Sequence, residues 1–269
     1  MNFATCASPR RLLSGPANGP GLDSSPGPVP EGPLERKEGE LSCLAVDIER
    51  IVDEQRQPLR RAADIAASVA ALVVLAPVLA LVALAVCLDS RGPVFYTQRR
   101  IGLNRRRRAD AGGAQVRDRR TVVLGGQPFV IWKFRTMRMN AEASGPQWAR
   151  VNDDRVTRVG RLLRRTRLDE VPQFFNVLKG EMTLIGPRPE RAYFIRTLEL
   201  EIPHYSKRLL VKPGITGLAQ VNNGYDDSLD SVRRKLTWDL RYLRNRGLGA
   251  DLVILAQTCR TVLMGHGAK

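Results

Sequence analysis

The stretch from Arg158 to Glu190 reads RVGRLLRRTRLDEVPQFFNVLKGEMTLIGPRPE. It contains two adjacent carboxylates, Asp169 and Glu170, among many arginines. These arginines are Arg158, Arg161, Arg164, Arg165, Arg167 and Arg188. Guanidinium groups bind phosphates in a bidentate manner, and nearby positive charge keeps a carboxylate ionised at neutral pH. The pattern therefore predicts a phosphate-binding site whose carboxylate acts as a nucleophile or as a Mg²⁺ ligand.

Helix capping is a simpler explanation of the two carboxylates. The residue pattern predicts a helix from Thr157 to Thr166 and a second, apolar helix from Gln173 to Leu178. Asp169 would then be an N-cap, and Glu170 would interact with the dipole of the second helix. Capping explains one carboxylate, but it does not explain why arginines surround both.

Two further cations are candidates for binding phosphate. The sequence from Gly186 to Pro189 predicts a rigid turn that presents Arg188, which either binds a phosphate or pairs with Glu190. Lys133 lies in the apolar run from Phe129 to Phe134, where a buried ammonium group needs an anion or water. Lys133 is therefore a candidate phosphate ligand, and a lysine on an exposed strand face is an equally weighted alternative.

The overall charge points to an anionic partner. The formal net charge is +16, and the excess lies beyond residue 60. Nucleic acid, an anionic membrane surface and phosphorylated substrates all fit such a charge. The four cysteines are far apart and form no CxxC pair, which argues against a disulfide framework and a zinc site. With two histidines in the chain, the HExxH pattern of metalloproteases is absent.

An uncharged apolar run extends from Ile65 to Leu88. As a helix it would be about 36 Å long, which is enough to cross a hydrocarbon core of about 30 Å. Pro77 interrupts the middle of the run, and arginines flank it on both sides. Proline bends a helix, and positively charged flanks favour the cytoplasm. These features favour a re-entrant helix that leaves on the side it entered, and an ordinary spanning helix is the alternative.

The remaining patterns predict a mostly helical α/β chain. Val94 to Thr97 is predicted to begin a strand, and Thr121 to Leu124 and Phe129 to Phe134 are predicted to form a β-hairpin that turns at Gly125 to Pro128. Helices are expected in the C-terminal region, and they either lie at a membrane interface or pack in the core. These helices span Asp227 to Arg246 and Leu252 to Met264.

The predicted organisation has three parts. Residues 1–60 are rich in Pro, Gly and Ser and are predicted to be a disordered extension. Residues 61–90 form the re-entrant membrane helix. Residues 91–269 form a small catalytic domain with a short β-hairpin and amphipathic interfacial helices.

Several motifs carry a resemblance to a known family. They read GPVFYTQRRIG, FVIWKFRTM, DDRVTRVGRLLRRTRLDEVPQFFNVLKGEMTLIGPRPE and VKPGITGLAQV. From about Arg60 to its C-terminus the chain resembles the bacterial sugar transferases, which are polyprenol-phosphate hexose-1-phosphate transferases, also called small monotopic phosphoglycosyl transferases. The central motif is long and specific.

The resemblance implies an activity and a place for it. It implies transfer of a sugar-1-phosphate from a UDP-sugar to undecaprenyl phosphate, with release of UMP, at the cytoplasmic face of the bacterial inner membrane. This step would begin exopolysaccharide or O-antigen synthesis and would supply downstream glycosyltransferases. The resemblance also implies a need for Mg²⁺, inner-membrane lipids as partners and no nucleic acid.

The resemblance assigns roles to individual residues. Asp169 is the expected nucleophile, which forms an aspartyl-phosphosugar intermediate. Glu170, together with Asp169, is expected to hold the metal. Lys133, Arg164 and Arg188 are expected to bind phosphate.

The chain departs from the family pattern at a few positions. Ala76-Pro77 stands where Ser-Pro is common, so the proline that bends the helix remains. Ala219 replaces a frequent tryptophan, and we expect an effect on sugar or nucleotide preference. The segment between Asn104 and Arg120 is an insertion.

Two other functional classes compete with the transferase. A membrane-tethered nucleic-acid binder would explain the basic charge, but it predicts aromatic residues interleaved with the arginines. A non-catalytic scaffold of a glycan assembly complex would tolerate loss of Asp169. The intact pair of carboxylates among the arginines favours an enzyme that acts on phosphates.

Overall fold

The computed structural model describes residues 58–104, 126–141, 153–223 and 228–264, all within one compact unit, Glu40–Lys269. Most of the predicted N-terminal extension, most of the insertion and the predicted strand from Thr121 to Leu124 lie outside the described residues. The helices are α1 (Pro58–Asp89), α2 (Arg158–Thr166), α3 (Gln173–Lys179), α4 (Ala192–Glu201), α5 (Leu218–Asn222), α6 (Leu229–Arg244) and α7 (Leu248–Leu263). The strands are β1 (Phe95–Asn104), β2 (Gly126–Phe134), β3 (Thr183–Ile185) and β4 (Gly214–Thr216), and 3₁₀ turns span Leu168–Glu170 and Tyr205–Leu210.

Strands β1 and β2 form a two-stranded antiparallel ribbon, in which Tyr96 lies opposite Lys133. The predicted strand start at Val94 to Thr97 is confirmed. The predicted turn at Gly125 to Pro128 is wrong over its described residues, because β2 begins at Gly126. A Cβ added to Gly126 would lie 2.3 Å from a methyl carbon of Ile101. A residue without a side chain is needed at position 126 because the strands pack closely there, and not because the chain turns.

The main hydrophobic core lies between α4, the turn at Tyr205–Leu210, α6 and α7. Leu236, Leu240 and Leu243, which lie on one face of α6, are all buried there. For this face of α6, core packing is therefore the correct alternative. By contrast, α7 exposes Leu252 and Val253. The short parallel pair of β3 and β4 lies beside this core and leads into the turn that carries Arg188.

Helix α1 runs for 32 residues with Pro77 inside it. Among the described residues it is the one helix that is long and apolar enough to cross a membrane, with a mean hydropathy of 3.0 over its most apolar window. Its centre, from Val69 to Leu81, contains no buried residue. Near its N-terminal end, Arg60 forms an ion pair with Asp251 of α7.

The C-terminal end of α1 is also attached to the compact unit. The Asp89 carboxylate accepts a hydrogen bond from the backbone N–H of Val159, in the first turn of α2, at 3.0 Å. The buried Arg135, which follows β2, donates to the carbonyl oxygens of Ser90 and Arg91, both at 2.6 Å. Both ends of the apolar helix are thus bonded to the same folded unit, and its exposed centre is not.

Candidate active site

The two carboxylates lie in a break between α2 and α3. Helix α2 begins at Thr157, whose hydroxyl accepts from the N–H of Gly160 at 3.0 Å. It ends at Arg167, whose φ of 59° reverses the chain into the 3₁₀ turn. Asp169 and Glu170 lie in this turn, and α3 begins after Pro172. Asp169 is therefore not the N-cap of α3, and the capping explanation is wrong.

Glu170 forms ion pairs with two cationic side chains. Its carboxylate accepts from Nζ of Lys133 on β2 at 2.7 Å, and from Nη1 of Arg188 at 3.1 Å. The Lys133 side chain is 17% exposed, so the alternative of a lysine on an exposed face is wrong. The described partner of the Arg188 side chain is Glu170 rather than Glu190. Glu170 thus fixes two positive charges that the sequence separates widely.

These contacts determine the charge of Glu170. Burial alone would raise its pKa, but the positive charges of Arg188 and Lys133 hold the pKa of Glu170 well below its usual range. Burial lowers the pKa of the Lys133 ammonium, and the attraction of Glu170 opposes this change. Attraction to Glu170 raises the pKa of Arg188. The three side chains form one partly buried ionic group.

Asp169 is as buried as Glu170, but it differs in its hydrogen bonds and in its pKa. It is 7% exposed, and its buried Oδ1 accepts no hydrogen bond from the described residues. Burial, followed by repulsion from Glu170, raises the pKa of Asp169 to about 6. Lys133, Arg164 and Arg188 oppose this rise through their positive charges. A carboxylate that lies among cations and keeps a free oxygen is suited to attack an electrophilic phosphorus.

Arg164 is held in place from the side of α2. Its Nε donates to the hydroxyl of Thr136 at 3.0 Å. The helix approaches Thr136 closely because Gly160 has no side chain, and an added Cβ would lie 2.1 Å from the Thr136 carbonyl oxygen. Glycine is thus required where α2 meets the end of the ribbon.

The five predicted site residues line one cavity of about 590 Å³. They are Lys133, Arg164, Asp169, Glu170 and Arg188. Of the other arginines in the central stretch, Arg167 also lines this cavity, whereas Arg158, Arg161 and Arg165 are exposed and do not line it. The structure therefore brings the five predicted residues together and leaves three of the arginines outside this cavity.

Further cavity residues were not predicted. Tyr96, Gln98 and Arg100 come from one face of β1, and Phe194 comes from α4. Period-two alternation along β1 could have placed the first three together, but no local signal pointed to Phe194. Ala219, for which we expected an effect on substrate preference, is buried in α5 and does not line this cavity.

A second ionic group is centred on Glu190. Its carboxylate accepts from Nζ of Lys235 at 2.7 Å, and it also pairs with Arg100 and Arg208. Burial alone would raise the pKa of Glu190, but Lys235, Arg208 and Arg100 lower it to about 2. Arg208 also pairs with the buried Asp239 of α6 at 2.8 Å and donates to the backbone carbonyl of Arg188 at 3.0 Å. This group therefore supports the turn that presents Arg188.

The carboxylates are compatible with Mg²⁺ that is shared with a substrate. In the part of the chain that the structure describes, no group of three or more His, Cys, Asp or Glu side chains could hold a metal alone. Mg²⁺ is often bound through one or two carboxylates together with substrate phosphates. The unpartnered Oδ1 of Asp169 fits this arrangement, and Glu170 could join it while it remains paired with Lys133 and Arg188.

The fold and the site combine one helix that is apolar enough to cross a membrane with a buried, cation-lined carboxylate that is suited to phosphate chemistry. The comparison with known families is more specific. Residues 55–265 match the bacterial sugar transferase family, and the chain belongs to it.

Three relatives illustrate the similarity. A UDP-N-acetylgalactosamine-undecaprenyl-phosphate N-acetylgalactosaminephosphotransferase of Aeromonas hydrophila is 42% identical over 211 residues, which cover 78% of this chain and 45% of the relative. UDP-glucose:undecaprenyl-phosphate glucose-1-phosphate transferases of Escherichia coli and Caulobacter vibrioides are 39% and 35% identical. These matches cover 74% and 89% of this chain, and 39% and 76% of the two relatives. The chain thus spans less than half the length of the first two relatives.

Proposed function

We propose that this protein transfers a sugar-1-phosphate from a UDP-sugar to undecaprenyl phosphate and releases UMP. The names of the three relatives support this donor and this acceptor. The observation that carries the proposal is the buried, unpartnered Oδ1 of Asp169 in a cavity lined by Lys133, Arg164 and Arg188. Such a site combines a nucleophile with preorganised positive charge for phosphoryl oxygens.

The reaction has two displacements. In the first, a carboxylate oxygen of Asp169 attacks the phosphorus that carries the sugar. The bond from this phosphorus to the bridging oxygen breaks, and UMP leaves with the electron pair. In the second, an oxygen of the lipid phosphate attacks the same phosphorus, and the bond to Asp169 breaks. This step restores the carboxylate and yields a polyprenyl diphosphate sugar.

The other side chains hold the phosphate oxygens. Lys133 and Arg188 are positioned by Glu170, and Arg164 is positioned by Thr136, so their charges need little rearrangement when the phosphorus is attacked. Asp169 and Glu170 would hold Mg²⁺ together with the donor diphosphate. When it is bound, Mg²⁺ would neutralise charge on the phosphates.

Helix α1 would bring this site to the lipid. Both of its ends are bonded to the compact unit, and its centre is apolar and exposed. These contacts support a re-entrant helix, because a helix that crosses the bilayer would carry its ends to opposite sides. The arginines at both ends favour the cytoplasmic face of the inner membrane. There the product would begin exopolysaccharide, O-antigen or related glycan synthesis and would pass to downstream glycosyltransferases.

Release of UMP by the full chain in nanodiscs tests this proposal. The assay contains Mg²⁺, undecaprenyl phosphate and a panel of UDP-sugars, and it compares the wild type with Asp169→Asn. Because the amide is a poor nucleophile, we expect at least a 10³-fold loss of turnover. Asp154→Asn, at an exposed position outside the cavity wall, serves as the matched control.

A donor labelled at the β-phosphorus tests the covalent step. Wild-type protein should retain the label after denaturation when the acceptor is omitted, and Asp169→Asn should not. If Asp169→Asn turned over near the wild-type rate, the role of Asp169 as the nucleophile would be contradicted. Absence of UMP release by the wild type with every donor would contradict the proposed activity.

A further inference from the structure

We propose that the cavity has two lobes with separate tasks, an assignment that rests on the proposed function and deepens it. The inner lobe, which is lined by Tyr96, Gln98, Arg191 and Phe194, binds the sugar of the donor and determines which sugar is transferred. The outer lobe, which is lined by Met137, Arg138, Met139 and Arg155, binds UMP first and the lipid phosphate afterwards.

The contacts along the cavity wall place Asp169 between the lobes. On one side, Asp169 interacts with Arg164, which is bonded to Thr136, directly before Met137 in the chain. On the other side, Glu170 holds Arg188, which is close enough to Arg100 to affect its charge. From Asp169 the cavity wall thus continues through Arg164 on one side and through Arg188 on the other.

The outer lobe adjoins the end of the membrane helix. Arg135 donates to the Arg91 carbonyl oxygen just after α1, and a Cβ added to Gly92 would lie 2.8 Å from the sulfur of Met139. The backbone N–H of Arg138 donates to the carbonyl oxygen of Arg155 at 2.9 Å, which joins the two segments of this lobe. A phosphate on a lipid that arrives along α1 would therefore reach the outer lobe first.

The inner lobe has the chemistry of a sugar subsite. The Gln98 carboxamide donates to the Tyr96 hydroxyl at 2.7 Å, so two polar side chains of β1 meet on the cavity face. Arg191 and Phe194, from α4 and the residue before it, add a guanidinium group and an aromatic ring. Amides, hydroxyls and guanidinium groups hydrogen-bond sugar hydroxyl and acetamido groups, and an aromatic ring packs against the apolar face of a pyranose.

The geometry of displacement at phosphorus assigns the lobes. In each step the attacking and leaving oxygens lie roughly in line. Asp169 attacks in the first step, so UMP leaves from the side opposite Asp169. Asp169 is the leaving group in the second step, so the lipid phosphate must enter from the side that UMP vacated. UMP and the lipid phosphate therefore share one lobe, and the sugar, which stays on the phosphorus throughout, needs another.

Access from the membrane decides which lobe is which. The shared lobe must be open to the lipid, and the outer lobe adjoins α1. The inner lobe is built from β1, α4 and the Glu190 group, whose Lys235 belongs to α6, a helix of the main core. The sugar lobe is thus the more rigid of the two, as discrimination between closely related sugars requires.

Donor selectivity and UMP inhibition test the assignment together. The full chain in nanodiscs is assayed with UDP-glucose, UDP-galactose and their two N-acetylated analogues. We expect Gln98→Ala and Phe194→Leu to change the ratio of kcat/KM between the best donor and its analogues at least tenfold, while the inhibition constant of UMP stays within twofold. Phe194→Tyr keeps the ring and should preserve the ratio.

Arg138→Ala is the matched variant of the outer lobe. It should weaken UMP inhibition and raise the KM for undecaprenyl phosphate about fivefold each, with unchanged donor ratios.

Weakened UMP inhibition in the inner-lobe variants, with unchanged donor ratios, would overturn the assignment and place uridine in the inner lobe. Wild-type protein that releases no UMP from any donor would refute the proposed function and this inference together, whereas an active wild type with unaltered donor ratios in both inner-lobe variants would refute this inference alone.

Discussion

Two glutamates, Glu170 and Glu190, each bind several cationic side chains along the wall of the same cavity. In both groups burial is offset by positive charge, and the pKa of each glutamate lies below its usual range. The Glu190 group spans β1, the turn at Tyr205–Leu210 and α6 through Arg100, Arg208 and Lys235. The Glu170 group has the same chemistry, but a second carboxylate, Asp169, lies next to it.

The difference between the groups lies in this second carboxylate. Near Glu190, the neighbouring acid Asp239 is paired with Arg208 at 2.8 Å. Near Glu170, Asp169 keeps a buried oxygen that no described residue engages. Burial raises the pKa of both aspartates, and that of Asp169 reaches about 6, so the ion pair of Asp239 is what distinguishes them. Similar ionic groups can thus have opposite uses. One supports a loop, and the other holds cations beside a carboxylate that remains free to react.

Neutralising Glu170 and Glu190 in turn should distinguish most clearly between holding cations beside Asp169 and supporting a loop. Glu170→Gln should lower kcat at least 10²-fold, because Lys133 and Arg188 lose their common anchor beside Asp169. Glu190→Gln should retain at least a tenth of the wild-type kcat per folded molecule, because Arg208 of this group supports the Arg188 turn through a backbone carbonyl and not through the Arg188 guanidinium. UMP release normalised to folded protein measures both effects. Equal losses of kcat in the two variants would contradict the separate roles of the Glu170 and Glu190 groups.

Neutralising Glu190 and neutralising Asp169 should change the free energy of unfolding in opposite directions. Glu190 has a lowered pKa of about 2, so it stabilises the fold above its unfolded pKa and this contribution is lost as the pH falls towards 2. Asp169 has a raised pKa of about 6, so its ionised form costs stability at pH 7.5. We expect Glu190→Gln to lower the free energy of unfolding by about 3 kcal/mol and Asp169→Asn to raise it by about 2 kcal/mol.

Denaturant unfolding of the full chain in detergent at pH 7.5 measures these changes. Asp154→Asn, which removes an exposed carboxylate, should leave the free energy of unfolding within about 0.5 kcal/mol. An Asp169→Asn variant that is less stable than the wild type would show that the carboxylate stabilises the fold. The proposed difference between Glu190 and Asp169 would then be wrong.

The sequence identified the residues that meet around Glu170 because they carry local signals. The motif around Asp169 and Glu170 and the single lysine in an apolar strand were sufficient to identify the cations of the Glu170 group. The alternative in which Arg188 pairs with Glu190 was wrong, because its partner depends on where β2 meets the 3₁₀ turn that carries Glu170. Gln98 and Phe194 were missed, since residues that far apart in the sequence come to line one cavity only in the folded chain.

The errors in the predicted fold have a similar origin. Gly126 was interpreted as a turn residue, but the same lack of a side chain serves close packing against Ile101. The apolar face of α6 was compatible with a membrane interface and with a core, and only the positions of its neighbours decide between them. Such ambiguities are resolved by contacts that are distant in the sequence.

The smallest expected effect is a shift in the pH dependence of the first displacement. UMP release in a single turnover without lipid acceptor avoids the titration of the lipid phosphate. Its rate should rise with pH as the proposed nucleophile, Asp169, loses its proton, and the pKa of this group is raised to about 6 in the unliganded site. Since the charge of Glu170 helps to raise the pKa of Asp169, Glu170→Gln should move this midpoint to lower pH. Glu190→Gln should leave it in place, because Glu190 is not among the charges that act most strongly on Asp169. Equal shifts in both variants would mean that the two groups form one electrostatic unit.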